Sequence, residues 1–323
     1  MMKWPVFALL QCMFTLAMLP FTAQAQDFPN QPVRFITGFP PGSGADVVTR
    51  YTAEKIKETS GVNIIVENRV GAAGGLAMET VARAKPDGYS VLLATATATA
   101  AANHLYKERR IDVLEAFRIG ATINRQGFMI TVDPGSPYKT LAELTAAMKI
   151  KGDKANYGTA APTGIVLGEM YKAMAGLQAQ QIRFRSGGDS LKEMASGAID
   201  FGALDPQLGL AQFRQGKLRI LAVATGSRIS ALPDVPTMEE AGVKGVDLTG
   251  WWALIVPKAT PDSVVNVMHG WMQKVLPRPE VIQFFKDSGA DAFSLPPKEA
   301  DALFVKEEAA WGRYAEIAKL EKQ

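Results

Sequence analysis

The residues best suited to chemistry cluster in a glycine-rich stretch near the amino end, around Ser43 and Asp46. Gly42 and Gly44 allow the backbone to approach a ligand closely and to adopt unusual dihedral angles. Ser43 and Asp46 have the spacing of a capping box, so a helix should begin here. The free amides and the positive end of such a helix attract a carboxylate or another anion. A plain tight turn, in which Asp46 satisfies the Ser43 amide, is the alternative.

The spacing of these glycines excludes one common phosphate-binding motif. The third glycine of a G-x-G-x-x-G dinucleotide fingerprint would fall at Val47.

A second glycine-rich turn, Gly71–Gly75, also precedes an amphipathic segment. It could add backbone amides for an anion, or it could serve close packing of a helix on a sheet. Farther along, Thr95 and Thr97 can donate hydroxyl hydrogen bonds to a carboxylate, although a loop threonine more often bonds to the local backbone.

Stretches in the second half of the sequence could supply further ligand contacts. Thr159 directly follows a predicted strand, and Ser186-Gly187-Gly188 forms a turn ahead of a predicted helix. Arg185 stands at a strand end, where its guanidinium could pair with a second carboxylate through two hydrogen bonds. A solvated arginine at the rim of a cleft is the alternative. Asp205 follows the predicted strand 199–203 and is a further candidate contact.

The residues that most enzymes need are scarce in this sequence. His104 and His269 are its two histidines, and Cys12 is its one cysteine. Neither a Gly-x-Ser-x-Gly elbow nor a His-Glu-x-x-His helix occurs. The sequence therefore predicts no enzyme, no cofactor and no metal site. A secreted hydrolase that pairs Asp46 with Asp205 is the weaker alternative, because a helix cap and a turn explain these carboxylates better.

Composition narrows the class of protein further. The formal net charge is +3, and lysine and arginine form no dense run, so nucleic-acid binding is not expected. Hydrophobic residues make up 47% of 323 positions, which is enough for a large core. A chain of this length favours two lobes over one.

The amino terminus has the order of a secretory signal peptide. Lys3 is followed by an uncharged apolar run over residues 4–19 and by the small residues Ala23 and Ala25. The run is shorter than the ~20 residues of a membrane-spanning helix. We expect cleavage after Ala25 and a periplasmic mature protein. Because Cys12 leaves with the signal, the mature chain should have no thiol and no disulfide.

The candidate loops need a scaffold that brings strand ends together. Short β-branched runs alternate with amphipathic runs, which predicts parallel strands covered by helices on both faces. The stretch 94–102, rich in threonine and alanine, is interpreted as a loop. The predicted strands are 33–37, 62–66, 89–94, 128–132, 156–158, 181–184, 199–203, 218–224 and 251–256. The predicted helices are 45–60, 76–85, 140–150, 164–175, 190–196, 206–215, 262–275, 280–288 and 297–319.

These elements fall into two blocks and a final segment that returns to the first block. The predicted fold is therefore α/β and two-lobed, with each lobe a mainly parallel sheet flanked by helices. We assign residues 1–25 to the signal peptide, 26–124 with 229–323 to lobe 1, and 125–228 to lobe 2. Ligands of open α/β sheets bind at the carboxyl ends of the strands, so the loops named above should line the cleft.

Five segments in a fixed order resemble one known family. Taken together they resemble the substrate-binding proteins of tripartite tricarboxylate transporters, the Bug family, from about Phe28 to the carboxyl end. The segments are FPPGSGAD at 39–46, VENRVGAAGG at 66–75, ARAKPDGY at 82–89, GKLRILAV at 216–223 and ALPDVPT at 231–237.

The resemblance implies a periplasmic binding protein of the Venus flytrap type that closes on a carboxylate and delivers it to the membrane subunits of a permease. One carboxylate would lie against the first loop and the threonine loop, and the second lobe would bind the distal end. We expect a monomer with no nucleic-acid partner. Carried over by position, the ligand contacts would be Phe39, Gly42, Ser43, Gly44, Asp46, Thr95, Thr97, Thr159, Ser186 and Gly187.

The sequence departs from the family pattern in the second lobe. The loop after Thr159 is short, and the usual Tyr-Lys-Gly-Gly appears as Phe184-Arg185-Ser186-Gly187. Leu204 occupies the position of a common aspartate, with Asp205 one residue later. These departures argue against a hydroxy acid such as citrate and against an amino acid that needs that aspartate, and they favour an apolar dicarboxylate, aliphatic or aromatic. A periplasmic sensor that presents its ligand to a receptor is the remaining alternative, since the capture step would be the same.

Overall fold

The computed structural model describes residues 28–107, 111–160 and 162–322. The predicted signal segment, its cleavage site after Ala25 and Cys12 lie outside the described residues. The strands are β1 (Val33–Thr37), β2 (Ile64–Asn68), β3 (Ser90–Thr95), β4 (Phe117–Gly127), β5 (Met129–Val132), β6 (Asn156–Thr159), β7 (Gln180–Arg183), β8 (Phe201–Leu204), β9 (Arg219–Val223), β10 (Thr249–Pro257) and β11 (Ala290–Ala292). The helices are α1 (Gly44–Ser60), α2 (Gly75–Ala82), α3 (Ala96–Leu105), α4 (Val113–Ala116), α5 (Leu141–Lys151), α6 (Pro162–Ala175), α7 (Gly187–Ala195), α8 (Pro206–Arg214), α9 (Asp262–Val275), α10 (Pro279–Asp287) and α11 (Pro297–Ile317).

The strands form two sheets, which confirms the predicted two-lobed α/β fold. The first has six strands in the order β11-β4-β10-β3-β1-β2, and the second has five in the order β7-β6-β8-β5-β9. We call the first sheet with its helices lobe 1 and the second lobe 2. The exact boundaries assigned from the sequence stay predictions.

Strand pairing is mixed, whereas the sequence predicted mainly parallel sheets. In lobe 1, β1 is parallel to β2 and β3, but β10 runs antiparallel to both β3 and β4. In lobe 2, β6 is parallel to β7 and β8, but β5 runs antiparallel to β8 and β9. In lobe 1, the short β11 is also antiparallel to β4. In each lobe, β10 or β5 is the antiparallel strand that brings the chain in from the other lobe. This connection carries no crossover helix, so nothing forces a parallel pairing.

Alternate residues of the central strands feed two separate cores in lobe 1. Val91 and Leu93 of β3 pack toward α1, α9 and α10, while Leu92 packs toward α2, α3 and α11. Since both faces are buried, β3 is apolar at every central position, as the sequence predicted.

The chain crosses between the lobes at two places. The first crossover is a single residue, Phe128, between β4 and β5, and the second is the long segment 224–248 between β9 and β10. The lobes also touch away from these crossovers: the Arg214 guanidinium of α8 donates to the carbonyl oxygen of Asp287 at 2.7 Å.

Two helices were absent from the sequence prediction, α3 and the short α4. Residues 96–105 form α3, where a loop was expected, because the alanines between the threonines have the highest intrinsic helix propensity. The predicted strands also lacked β4 and the short β11.

Candidate functional site

The first glycine-rich loop, between β1 and α1, already contains a buried carboxylate of its own. Asp46 is 2% exposed, and one of its oxygens accepts from the Gly42 amide and from Arg50 Nε, both at 2.9 Å. Its other oxygen accepts from Asn68 Nδ2 at 2.7 Å. Burial raises the pKa of Asp46, but the hydrogen bonds from Arg50, Asn68 and Gly42 outweigh it and lower the pKa to about 2. Asp46 therefore holds the loop together, and its assignment as a ligand contact stays a prediction.

The other predicted residues of this loop, Ser43, Gly42 and Gly44, also have structural roles. Ser43 caps α1: its Oγ accepts from the Asp46 amide at 3.3 Å and donates to the carbonyl oxygen of Pro40 at 2.7 Å. Gly42 has a φ of +78°, which favours glycine. A Cβ on Gly44 would lie 2.9 Å from Gln207 Oε1, so the start of α1 faces the start of α8 in lobe 2. The loop thus positions α1 at the boundary between the lobes.

The second glycine-rich turn, between β2 and α2, has a strained backbone. Ala72 and Ala73 have φ values of +47° and +50°, in the left-handed region. Such a conformation costs a non-glycine residue roughly 1–2 kcal/mol. The turn also packs tightly, since a Cβ on Gly38 would lie 2.6 Å from the Cα of Gly74. Two consecutive strained alanines persist only where their surroundings hold them in place.

Helix α3 begins without a side-chain cap, in contrast to α1. Thr95 is its N-cap residue and supplies no capping hydrogen bond, so the first amides of α3 lack a partner from this side chain. Among the described residues, the Thr95 hydroxyl has no protein partner. Helix α2 likewise begins at Gly74, which has no side chain to cap with. At α2 the Gly74 and Gly75 amides already donate to the carbonyl oxygens of Gly71 and Ala72, so the start of α3 is the helix end that retains the capacity to bind an anion.

Thr97 lies inside lobe 1 on helix α3, and not in the predicted loop, while its contact with a ligand stays a prediction. It is 4% exposed, accepts from the Trp251 amide at 3.2 Å and approaches the Thr249 carbonyl oxygen at 3.4 Å. Its hydroxyl therefore fastens α3 to β10. It also lies near Glu307 of α11, a carboxyl group whose pKa burial raises to about 7.

A cavity of about 340 Å³ opens where β1, β2 and β3 end. It brings together two of the predicted contacts, Phe39 and Thr95. The Phe39 ring rests against Trp252, with ring centroids 5.6 Å apart. The wall residues that sequence reasoning missed include Val70, Met78 and Ala98, all on elements adjacent to the glycine-rich turns. Only the strand-end rule could have indicated them, because an apolar side chain carries no signal of its own.

In lobe 2, the predicted turn residues serve as helix caps. Ser186 Oγ accepts from the Asp189 amide at 3.3 Å and donates to the Asp189 carboxylate at 2.8 Å. A Cβ on Gly187 would lie 2.2 Å from Leu208 Cδ2, so this glycine allows α7 to approach α8. The carboxylate of Asp205 caps α8 by accepting from the Leu208 amide at 2.9 Å. These contacts fix the loops.

Two predicted contacts of lobe 2 differ sharply in exposure. Thr159 is 1% exposed, and a Cβ on Gly164 would lie 2.0 Å from its Oγ1, so α6 begins directly against it. Arg185 is exposed just beyond the end of β7. Within the part of the chain that the structure describes, its guanidinium has no acidic partner. Arg185 is thus the lobe 2 candidate with an uncommitted charge.

The described residues contain no group of three or more potential metal ligands. In the same ranges, no helix has the length and apolar character needed to cross a membrane.

The chain is similar to a well-defined set of known proteins. The family model for the tripartite tricarboxylate transporter family receptor matches residues 48–320. A UPF0065 protein of Bordetella pertussis is 31% identical over 306 residues, and the match covers 92% of each chain. The solved structure of the periplasmic binding protein BugD is 28% identical with a TM-score of 0.71, covering 92% of this chain and 100% of that one. The structure of R. palustris Rpa4515 with adipate is 24% identical with a TM-score of 0.75, covering 92% and 100%.

The family match spans both lobes and confirms the resemblance noted in the sequence. Proteins of this family are solute-binding receptors and not enzymes, in agreement with the sequence-based interpretation. The chain therefore belongs to the tripartite tricarboxylate transporter receptor family.

Proposed function

We propose that this receptor captures a small dicarboxylate in the periplasm and passes it to the membrane subunits of a tripartite tricarboxylate transporter. One observation carries the choice of ligand: α3 begins without a side-chain cap at the wall of the strand-end cavity. Its first amides and its positive dipole end suit a carboxylate. Charge-assisted hydrogen bonds of this kind are about twice as strong as neutral ones.

The ligand carboxylate would bind at the start of α3 and not at the start of α1, because the loop before α1 already contains the carboxylate of Asp46. Asp46 already occupies the Gly42 amide, and Ser43 already occupies the Asp46 amide. At α3, the Thr95 hydroxyl can add a donor beside the backbone amides. This arrangement binds an anion without a buried cation in lobe 1.

The distal carboxylate would be held by lobe 2. Arg185 is exposed and can present two parallel N–H donors to a carboxylate. A ligand that spans the cleft would join Arg185 to α3 and favour the closed arrangement, with the lobes turning about Phe128 and the segment 224–248. Adipate, the ligand of the relative Rpa4515, is a dicarboxylate, but at 24% identity that protein supports only the fold.

A thermal-shift and calorimetry screen of residues 26–323 tests this function. Ligands that bind only the folded state stabilise it by about 2.7 kcal/mol at a hundredfold excess over Kd. We expect succinate, adipate and terephthalate to raise the Tm, and sugars and cationic amino acids to leave it unchanged. If a sugar or a cationic amino acid raises the Tm and no carboxylate does, the anion site at α3 is wrong.

Delivery to a permease needs a separate measurement. Uptake of the best radiolabelled dicarboxylate into vesicles that contain the transporter membrane subunits should require this receptor. Uptake that is equal with and without the receptor would favour the alternative role of a sensor.

A further inference from the structure

The strand-end cavity is lined mainly by apolar side chains, although it lies beside an anion-binding helix end. Phe39, Val70, Met78 and Leu92 form its larger walls, and Ala98 on α3 forms a small one. The polar side chains that line it are two threonines. One of them, Thr99, already donates its hydroxyl to the carbonyl oxygen of Thr95 at 3.0 Å. The interior therefore offers little to a charged group and suits the apolar body of a ligand.

The cavity has room for an aromatic ring, and its wall residues favour one. A cavity of about 150 Å³ lined by apolar side chains is known to hold benzene, and this one is about 340 Å³. Phe39 offers an aromatic face that Trp252 holds in place at a centroid distance of 5.6 Å. The Met78 thioether is a further favourable neighbour for an aromatic ring.

The cavity keeps its shape because its rim is held rigidly. Gly38 and Gly74 are in close backbone contact, and the left-handed Ala73 also lines the cavity. The glycines at 71 and 74 leave the mouth unobstructed by side chains of their own. A ring could therefore enter beside Thr95 without displacing a bulky residue.

We propose that this cavity holds the aromatic ring of an aryl carboxylate whose carboxylate binds at the start of α3. The proposal rests on the function proposed above and narrows it to a class of substrate. Ala98 would then determine specificity, because it lines the cavity from the first turn of α3, whose amides would bind the carboxylate.

The variant Ala98→Leu tests this assignment, since leucine suits a helix and would fill part of the cavity. We expect Ala98→Leu to weaken terephthalate and benzoate at least tenfold, measured by calorimetry, and to change succinate affinity less than threefold. Ala98→Ser, of nearly the same size, is the matched control and should bind both classes within twofold of wild type. Equal losses for succinate and terephthalate in Ala98→Leu would overturn the proposal.

A ligand series on the unaltered protein keeps the test independent of folding. Terephthalate should bind at least tenfold more tightly than trans-cyclohexane-1,4-dicarboxylate and than adipate. If adipate or succinate binds and the aryl carboxylates do not, the ring site is wrong while the proposed function stands. If no carboxylate of either kind binds, the proposed function fails as well.

Discussion

Helices α1 and α7 begin with the same pattern, Ser-Gly-x-Asp, one in each lobe. In lobe 1, Asp46 of this pattern is buried and joins the loop to Arg50 and Asn68. In lobe 2, Asp189 is partly exposed and is bonded within its own turn to Ser186. The same four residues thus organise a whole loop in one lobe and only cap a helix in the other. A glycine-rich turn before a helix is therefore not evidence of a free anion site until its capping bonds are known.

The two lobes also differ in whether the helices beside the cleft begin with a side-chain cap. Both α7 and α8 are capped by side chains, whereas α3 is not. If the missing cap decides where the ligand carboxylate binds, an aspartate at the N-cap of α3 should compete with the ligand and weaken its binding strongly. We expect Thr95→Asp to weaken the best dicarboxylate by at least about 100-fold, or about 2.8 kcal/mol. The same change should leave the Tm equal or raised, because aspartate is a good N-cap. Calorimetry with thermal unfolding measures both.

Thr95→Asn is the matched control, since asparagine caps equally well without a charge. A smaller loss of affinity in Thr95→Asn than in Thr95→Asp is expected. Wild-type affinity in Thr95→Asp would mean that the carboxylate binds elsewhere.

The second test replaces the two aspartates of the shared pattern. The folded pKa of Asp46 is about 2, below its ordinary value of 3.8, so its ionisation stabilises the fold above pH 4. That contribution is lost as the pH falls through 2, and it amounts to about 2 kcal/mol at neutral pH. We expect Asp46→Asn to lower the free energy of unfolding by about this amount at pH 7, and by about half of it at pH 3. Urea denaturation at the two pH values measures the difference.

The variant Asp189→Asn is the control for this pair. It should cost less than about 1 kcal/mol, because the partly exposed Asp189 only supports a helix cap. Equal effects of the two substitutions would remove the contrast between the two lobes.

The third test concerns the free charge of lobe 2. We expect Arg185→Ala to weaken a dicarboxylate about tenfold, or about 1.4 kcal/mol, and to leave the matching monocarboxylate nearly unchanged. Arg183→Ala, which removes another exposed arginine at the end of the same strand, should have no effect beyond twofold. An Arg185→Ala variant with wild-type affinity for the dicarboxylate would make Arg185 a rim residue.

The smallest effect is expected at the cap of α7. Ser186→Ala should lower the free energy of unfolding by about 1 kcal/mol through the lost cap. Its effect on ligand affinity should stay within twofold if Ser186 serves only the helix. A tenfold loss of affinity with unchanged stability would restore Ser186 to the ligand contacts.

Much of the scaffold could be predicted from the sequence, because burial dictates residue type along strands and amphipathic helices. The continuous apolar run of β3 and the spacing in α1 and α9 are examples. The helix α3 could not be recognised, since its alternating threonines and alanines show no apolar face. The mixed pairing of the sheets depends on where the chain crosses between lobes, which no local pattern records.

The candidate site was predicted less well, for a different reason. Residue type places Asp46, Ser186 and Asp205 near strand ends, but it does not tell whether their oxygens are already occupied. Asp46 in particular is satisfied by Asn68, which is 22 residues away in sequence. The apolar walls of the cavity, such as Met78, have no chemical signature and emerge only from the packed structure.

The position of β10 has a consequence for the order of folding. This strand begins at Thr249, yet it lies between β3 and β4 at the centre of the lobe 1 sheet. Lobe 1 therefore cannot close its sheet until most of the chain is available, whereas lobe 2 uses strands only from 129 to 223. Contacts so distant in sequence form slowly. We expect lobe 2 to fold first, and lobe 1 to complete its sheet only after β10 has been added.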